Sequence, residues 1–205
     1  FWVADEMGPS IAHVSRDGRI IKRFVPADAA KDYAGAEAEI VATLPAILSK
    51  RQGNRGFESI AISPDETHLY FIMQTPLANP DAKTFQSARN SRLFKMERAT
   101  GRLVGEYVYQ LENPSSFGFD PTTRQSDPRI SELLAIGADK LIVLERTEKT
   151  TKLFEINLAG STNILGSQWD NVATSPSLEQ LPDASGVTPL AKTLRFDTFR
   201  DAKDA

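Results

Sequence analysis

Three short apolar runs end on polar residues in the same register: Phe1-Trp2-Val3-Ala4-Asp5-Glu6, Leu69-Tyr70-Phe71-Ile72-Met73-Gln74 and Leu141-Ile142-Val143-Leu144-Glu145-Arg146. Each is rich in β-branched or aromatic residues and too short and uniformly apolar for a surface helix, which predicts strands buried on both faces. Matching partners, residues 58–63 and 132–136, precede the second and third runs across Pro64-Asp65-Glu66-Thr67 and Gly137-Ala138-Asp139-Lys140. Turn residues between two apolar runs predict β-hairpins. Downstream of all three runs lies another strand candidate, residues 11–15, 92–96 and 152–158. Asp17-Gly18 and Thr100-Gly101 then lead the first two into residues 19–25 and 103–111. Four antiparallel strands recurring in order describe the blade of a β-propeller. A β-sandwich or meander carries the same pattern, because alternating strands and turns specify antiparallel sheet and not its closure.

The runs begin at residues 1, 69 and 141, spacings of 68 and then 72 residues that exceed the roughly 40–50 of compact blade repeats. Insertions take up the excess. Residues 27–44 are rich in Ala and acidic residues, and Pro45 stands as the first helical position before Ala46-Ile47-Leu48-Ser49-Lys50-Arg51, with Gly53 as a stop, so one short helix is expected there. Residues 75–91, 113–129 and 159–189 are expected to be loops, the last long enough for partial mobility, and residues 191–196 a returning outer strand. Three blades fall short of the roughly 4 to 8 that close a propeller. The expected architecture is therefore all-β: about three four-stranded antiparallel blades of a larger propeller, with one short helix and long loops. Residues 1–205 are expected to form one domain that is an incomplete segment of a longer chain. The chain opens on four apolar residues without Met, and residues 197–205 form a charged stretch without strand signals, so both ends are expected to be cuts. Exposed blade edges would then pair with the missing segment or with another copy.

Composition narrows the chemistry. Lys and Arg number 24 against 27 Asp and Glu, and a net charge of −3 lacks the electrostatic footprint of a nucleic-acid binder. No apolar run reaches the roughly 18 to 20 residues that span a bilayer. The absence of Cys removes disulfides, thiolate metal sites and a cysteine nucleophile. There is no Gly-x-Ser-x-Gly elbow, phosphate-binding Gly-Lys loop, dinucleotide glycine fingerprint or His-Glu-x-x-His helix. Of the two histidines, His68 is expected on the surface of a hairpin turn and His13 as a structural residue in a strand, which disfavours a Ser-His-Asp triad.

Antiparallel pairing sets the start of one hairpin strand beside the end of the next. Glu58 is thus expected near Gln74, and Glu132 near Glu145 and Arg146, with Asp5 and Glu6 at the same level in the first blade. Inner strands of a propeller line its channel, so these groups would ring one mouth. Oxygen ligands suit hard cations, which makes Asp5, Glu6, Glu58 and Glu145 candidate ligands for a divalent metal, Ca²⁺ foremost. Planar guanidinium groups suit phosphate or carboxylate, so Arg146, Arg89 and Arg92 are candidate substrate-binding residues, the last two because they lead into a blade strand read as an inner one. Glu58, Glu6 and Arg55, the last from Asn54-Arg55-Gly56-Phe57-Glu58, are the candidate catalytic groups. Blade ends also carry charge simply because they meet water, and an Arg beside a Glu commonly forms a structural pair. The basic series Arg89, Arg92, Lys95, Arg98, Arg102 is expected mostly on a solvated face.

The words FWVADEMGPSIAHVSRDGRIIKRFVP (residues 1–26), LPAILSKRQGNRGFESIAISPDETHLYFIMQTPL (44–77) and ISELLAIGADKLIVLER (130–146) resemble the phytase-like domain family, known by the phrase "esterase-like activity of phytase". The likeness runs on through residues 152–165 and 189–197, and its most specific words are W-V-A-D-E, N-R-G-F-E and L-E-R in that order. The resemblance implies a β-propeller of about twice this length, exported by bacteria to the periplasm or the exterior, with an additional acidic hairpin on each side of the part present here. It carries the family's words onto Asp5, Glu6, Arg55, Glu58, Glu145 and Arg146, whereas Gln74 has no counterpart. Ser59 stands where the family has Gly, and Met7 where it has an aromatic residue. The implied activity is metal-assisted hydrolysis of a small anionic phosphate or carboxylate ester. The alternatives are a non-catalytic exported propeller that binds a small ligand or protein at the same mouth, and a structural module whose charges solvate the rim.

Overall fold

The computed structural model of the chain describes residues 1–184 and 186–202. Among these residues twelve strands form three four-stranded sheets, set side by side as successive propeller blades. The middle sheet follows the predicted order, with β5 (Phe57–Ile62), β6 (His68–Met73), β7 (Asn90–Glu97) and β8 (Leu103–Gln110) pairing antiparallel in sequence. So does the last, with β9 (Arg129–Ala135), β10 (Lys140–Arg146), β11 (Thr151–Asn157) and β12 (Ala191–Asp197), the last being the predicted returning strand.

The first sheet departs from the expectation. β1 (Trp2–Asp5), β2 (Ser10–Val14) and β3 (Ile20–Pro26) pair antiparallel, but its fourth strand is β4 (Glu39–Leu44), which lies outermost and parallel to β3. A parallel neighbour needs a crossover connection, and residues 27–38, read in sequence as the start of an insertion, supply it around a 3-10 turn at Ala30–Tyr33. The Ala-rich acidic lead-in concealed a strand whose own residues, Ile40, Val41 and Thr43, have strong β preference.

Burial on both faces holds for β6 and fails for the other two runs. Residues 69–73 of β6 are all buried, whereas β10 alternates and the first run leaves Phe1, just before β1, 74% and Val3 48% exposed. The middle sheet has a neighbour on each side. Leu69, Phe71 and Met73 enter a cluster with Ile11, Phe24, Leu44, Ile47 and Leu48 of the first sheet and its appended turn. Tyr70 and Ile72, pointing the other way by strand alternation, join Ile130, Leu133, Leu141, Val143 and Ile156 of the last sheet. Phe57, Phe71 and Phe94 pack as edge and stacked rings at 4.9–5.8 Å, filling the first of these layers.

The connections hold more structure than their composition suggests. Ala46–Lys50 is a 3-10 turn that follows Pro45 and buries Ile47 and Leu48, in place of the expected short helix. Residues 75–91 contain a helix, α1 (Ala82–Ser87), capped by Asp81 Oδ1 accepting from Thr84 N at 2.8 Å. Residues 159–189 are anchored across the middle sheet through Ile164, Leu178, Ala184 and Val187, which pack on Val108. Of the charged tail, Asp197 closes β12 and caps α2 (Thr198–Asp201), while the part of that call at 203–205 lies outside the described residues. No helix among the described residues is long and apolar enough to cross a membrane.

At one end of the sheets the backbone itself crosses from blade to blade. Gly56 N, just before β5, donates to Glu6 O of the first sheet at 2.8 Å; Gln74 N, just after β6, donates to Gly56 O at 2.8 Å; and Ile130 N of β9 donates to Gln74 O at 3.0 Å. A Cβ on residue 56 would sit 2.5 Å from Glu6 O and 3.0 Å from Asp5 O, so only glycine permits this approach. Gly56→Ala is expected to lower unfolding free energy by about 2–3 kcal/mol in a urea titration. Gly53→Ala, where an added Cβ meets nothing within 4 Å, should change it by less than about 0.5 kcal/mol.

Candidate functional site

The inter-sheet backbone bonds deliver four polar side chains to one place. Gln74 is buried, and its amide is the hub: Nε2 donates to Glu6 Oε1 at 2.6 Å and also to Glu58 Oε2, while Oε1 accepts from Arg55 Nη1 at 2.6 Å. The third sheet closes the group. Ser131 Oγ donates to Glu58 Oε2 at 3.4 Å, Arg146 Nε donates to Ser131 Oγ at 2.9 Å, and Arg146 Nη2 lies 4.0 Å from Glu58 Oε1. Each sheet therefore contributes, Glu6 from the first, Arg55, Glu58 and Gln74 from the second, Ser131 and Arg146 from the third.

Positive charge exceeds what the two glutamates balance. Arg129 stands directly opposite Arg146 in the β9–β10 pair, and its only ion-pair partner among the described residues is the largely exposed Glu148 at 3.4 Å. Burial, and next to it the Arg129 charge, pull the Arg55 guanidinium below its ordinary value; Glu6 and Glu58 oppose this and Arg146 adds to it. Arg129 Nε is buried without a hydrogen-bond partner. Arg129 also lines a neighbouring cavity of about 370 Å³ together with Arg124, Lys149, Asp120, Asp127 and Glu148.

Of the expected site residues, Glu6, Arg55, Glu58 and Arg146 come together, with Gln74 beside Glu58 as the pairing argument required. Asp5 and Glu145 do not join them, because adjacent residues of a strand point to opposite faces. Asp5 closes the β1–β2 turn, accepting from Met7 N at 3.0 Å and Gly8 N at 3.2 Å and pairing with Arg23 at 3.0 Å. Glu145 is fully buried and accepts from Tyr109 OH at 2.6 Å, Glu112 N at 2.9 Å and Lys192 Nζ at 2.5 Å. Burial and then the Glu145 charge hold the Tyr109 hydroxyl well above its ordinary value. The four carboxylates expected to hold a divalent cation are thus dispersed, and among the described residues no group of three or more His, Asp or Glu side chains is placed to bind a metal.

Arg89 and Arg92 are corrected as well. They lead into β7, the third strand of its sheet, and so lie outward from the mouth. Arg89 Nε donates to Leu111 O at 2.8 Å, and Arg92 is fully buried between Glu106 and Glu179 at 2.7 and 2.9 Å. Glu132 is exposed and opposite Leu144, in the regular hairpin register that precedes a shift between Leu144 and Glu145. That same shift sets Arg129 opposite Arg146, a residue the sequence reading missed by starting the strand at Glu132. His13 stacks on Trp2 at 4.5 Å within its strand, as expected, whereas His68, expected on the turn, is the half-buried first residue of β6, with its ring 2.7 Å from Thr67 Oγ1.

Comparison with known proteins bears on this arrangement. Residues 1–202 match the phytase-like family described as "Esterase-like activity of phytase". The chain belongs to this family. A protein of Arthroderma benhamiae described as an "Uncharacterized secreted protein" is 29% identical over 125 aligned residues, covering 54% of this chain and 24% of the relative. The chain thus spans about a quarter of the length of that curated relative. A solved structure described as "KlHsv2 with loop 6CD replaced by a Gly-Ser linker" shares 9% identity at a TM-score of 0.39, covering 96% of this chain and 40% of that one. Within this phytase-like chain the words W-V-A-D-E and N-R-G-F-E are the two strand ends that Gly56 stitches together, while the Glu of L-E-R serves the core. Lys192→Met, which strips Glu145 of its cation, is therefore expected to lower stability by about 3 kcal/mol in thermal unfolding. Glu148→Gln, on the exposed side of Arg129, should leave the melting temperature nearly unchanged.

Proposed function

We propose that the mouth binds a small phosphate or carboxylate ester and hydrolyses it, with Arg55, Arg129 and Arg146 receiving the anionic or carbonyl oxygens and Glu58 acting as general base. The observation that carries this is the guanidinium cluster, in which Arg55, Arg146 and Arg129, the last paired only with the exposed Glu148 among the described residues, gather beside Glu6 and Glu58, and the half-buried Arg55 has its charge disfavoured. A bound anion would relieve that imbalance. Gln74 and Ser131 hold one oxygen of Glu58, leaving Oε1 on the Arg146 side to take a proton from water. The water oxygen bonds to phosphorus or to the carbonyl carbon, the bond to the leaving alcohol breaks, and the proton held by Glu58 passes to the departing oxygen. The cavity beside Arg129 offers room for the remainder of the substrate. The expected cation finds only Glu6 and Glu58 here, each already bonded to the Gln74 amide, so these steps rest on the chain's own residues.

The secreted relative and the family support an exported protein, periplasmic or extracellular. A second reading, ligand binding without turnover, draws on the Gln74 hub, since every polar atom of that amide is spent on holding Glu6, Glu58 and Arg55 still. The two readings separate in one set of measurements. Arg146→Ala is expected to weaken inorganic phosphate binding about tenfold or more by calorimetry. Glu58→Gln is expected to keep that binding and to lower kcat on p-nitrophenyl phosphate or p-nitrophenyl acetate by about 10²–10⁴. Phosphate binding without turnover of either ester by the unmodified protein, with or without added divalent cations, selects the binding reading.

A further inference from the structure

The connection between β11 and β12 leaves its own sheet and lies along the outer edge of β8. Ile164 N donates to Glu106 O at 2.8 Å, Leu190 N to Val108 O at 2.8 Å, and Glu106 N to Asn163 Oδ1 at 3.0 Å, so the loop pairs with backbone groups that an edge strand would otherwise expose. Beneath this contact Arg92 of β7, Glu106 of β8, and Asp170 and Glu179 of the loop are gathered in the interior. Arg92 donates to Glu106 Oε1 at 2.7 Å, to Glu179 Oε1 at 2.9 Å and to Trp169 O at 3.0 Å, and its Nη1 lies 3.5 Å from Asp170 Oδ1. Gly166 N donates to Asp170 Oδ2 at 2.6 Å.

One cation thus faces three carboxylates from β8 and from two turns of the loop. Glu106 Oε2, Asp170 Oδ1 and Glu179 Oε2 are all buried without a hydrogen-bond partner among the described residues. Three ionised carboxylates against one guanidinium would leave two negative charges uncompensated in a low-dielectric interior, and each orphaned oxygen adds its own desolvation penalty. A single retained proton removes one charge and supplies a donor to an orphaned acceptor, as in other close carboxyl pairs.

We propose that Glu106 keeps a proton, shared with Asp170 only as a hydrogen bond, that clasps the 159–190 loop onto the edge of β8, and that losing this proton toward alkaline pH releases the loop. Burial above all pushes the Glu106 carboxyl up; Arg92 opposes it, and the Asp170 charge and hydrogen bond raise it again, to about 8. The docked form therefore binds more protons than the open form between the ordinary carboxyl range and about pH 8. Docking is strongest below that ordinary range, weakens as pH rises through it toward about 8, and changes no further above.

Amide hydrogen exchange of Ile164 and Leu190, corrected for intrinsic rates, tests this from about pH 5 to about pH 9. The expected result is a loss of protection approaching tenfold per pH unit up to about pH 8 and a plateau beyond, while Phe71 in β6 keeps its protection. Glu106→Gln, which carries a permanent donor in place of the shared proton, should flatten the profile. Asp170→Asn, which leaves the burial of Glu106 and removes the neighbouring charge, should keep a slope but move the plateau to lower pH, and serves where Glu106→Gln fails to fold. A flat profile in the unmodified protein, an unchanged slope in folded Glu106→Gln, or an unmoved plateau in folded Asp170→Asn overturns the proposal.

Discussion

Everything at the mouth depends on one backbone relay: Glu6 O to Gly56 N, Gly56 O to Gln74 N, and Gln74 O to Ile130 N. The first and last of these bonds run between sheets, and the middle one joins the ends of β5 and β6 within the second sheet. They fix the relative height of three blades to within a hydrogen bond's tolerance. Side chains attached to the same residues or their neighbours inherit that precision. Gln74 is held by its own N–H and C=O before its amide reaches Glu6, Glu58 and Arg55, so the polar cluster is assembled on a rigid support.

The relay also explains why the middle sheet is the structural centre. β6 faces apolar layers on both sides, with Leu69, Phe71 and Met73 toward the first sheet and Tyr70 and Ile72 toward the last. Alternation along a single strand thereby bonds three blades into one packed unit, and the backbone relay terminates that unit at the mouth. At its outer edge the same sheet is sealed by the long loop, whose docking rests on a buried cluster of one guanidinium and three carboxylates. Two kinds of charge cluster thus occupy opposite radial positions in one sheet. The mouth cluster carries excess positive charge and remains open to solvent, which suits binding. The edge cluster carries excess negative charge and is closed, which suits holding a proton.

Much of this was legible in the chain. The recurring apolar runs and the turn residues between them located nearly every strand of the second and third sheets, because hairpins are local and their signals adjacent in sequence. Glu58 beside Gln74 followed from antiparallel pairing alone. The misses have equally physical causes. β4 pairs parallel after a crossover, so no turn announces it. The β-bulge near Leu144 moved Arg129 opposite Arg146, and a one-residue shift of that kind leaves no mark in a hydrophobic pattern. Asp5 and Glu145 were grouped with their neighbours by sequence proximity, although strand alternation sends adjacent side chains to opposite faces.

By itself the sequence determined the period-2 strands, their hairpin order and the charge available at the strand ends. Those are properties of local backbone preference and of residue type. Only the tertiary structure decided which charges meet. It joined Arg129 to Arg55 and Arg146, sent Glu145 into the core with Lys192 and Tyr109, and buried Arg92 under a distant loop with Glu106, Asp170 and Glu179. Electrostatic neighbours of this kind come from sheets and loops far apart in the chain. Their energies depend on burial and on separations of a few ångströms, which no pattern of residues records.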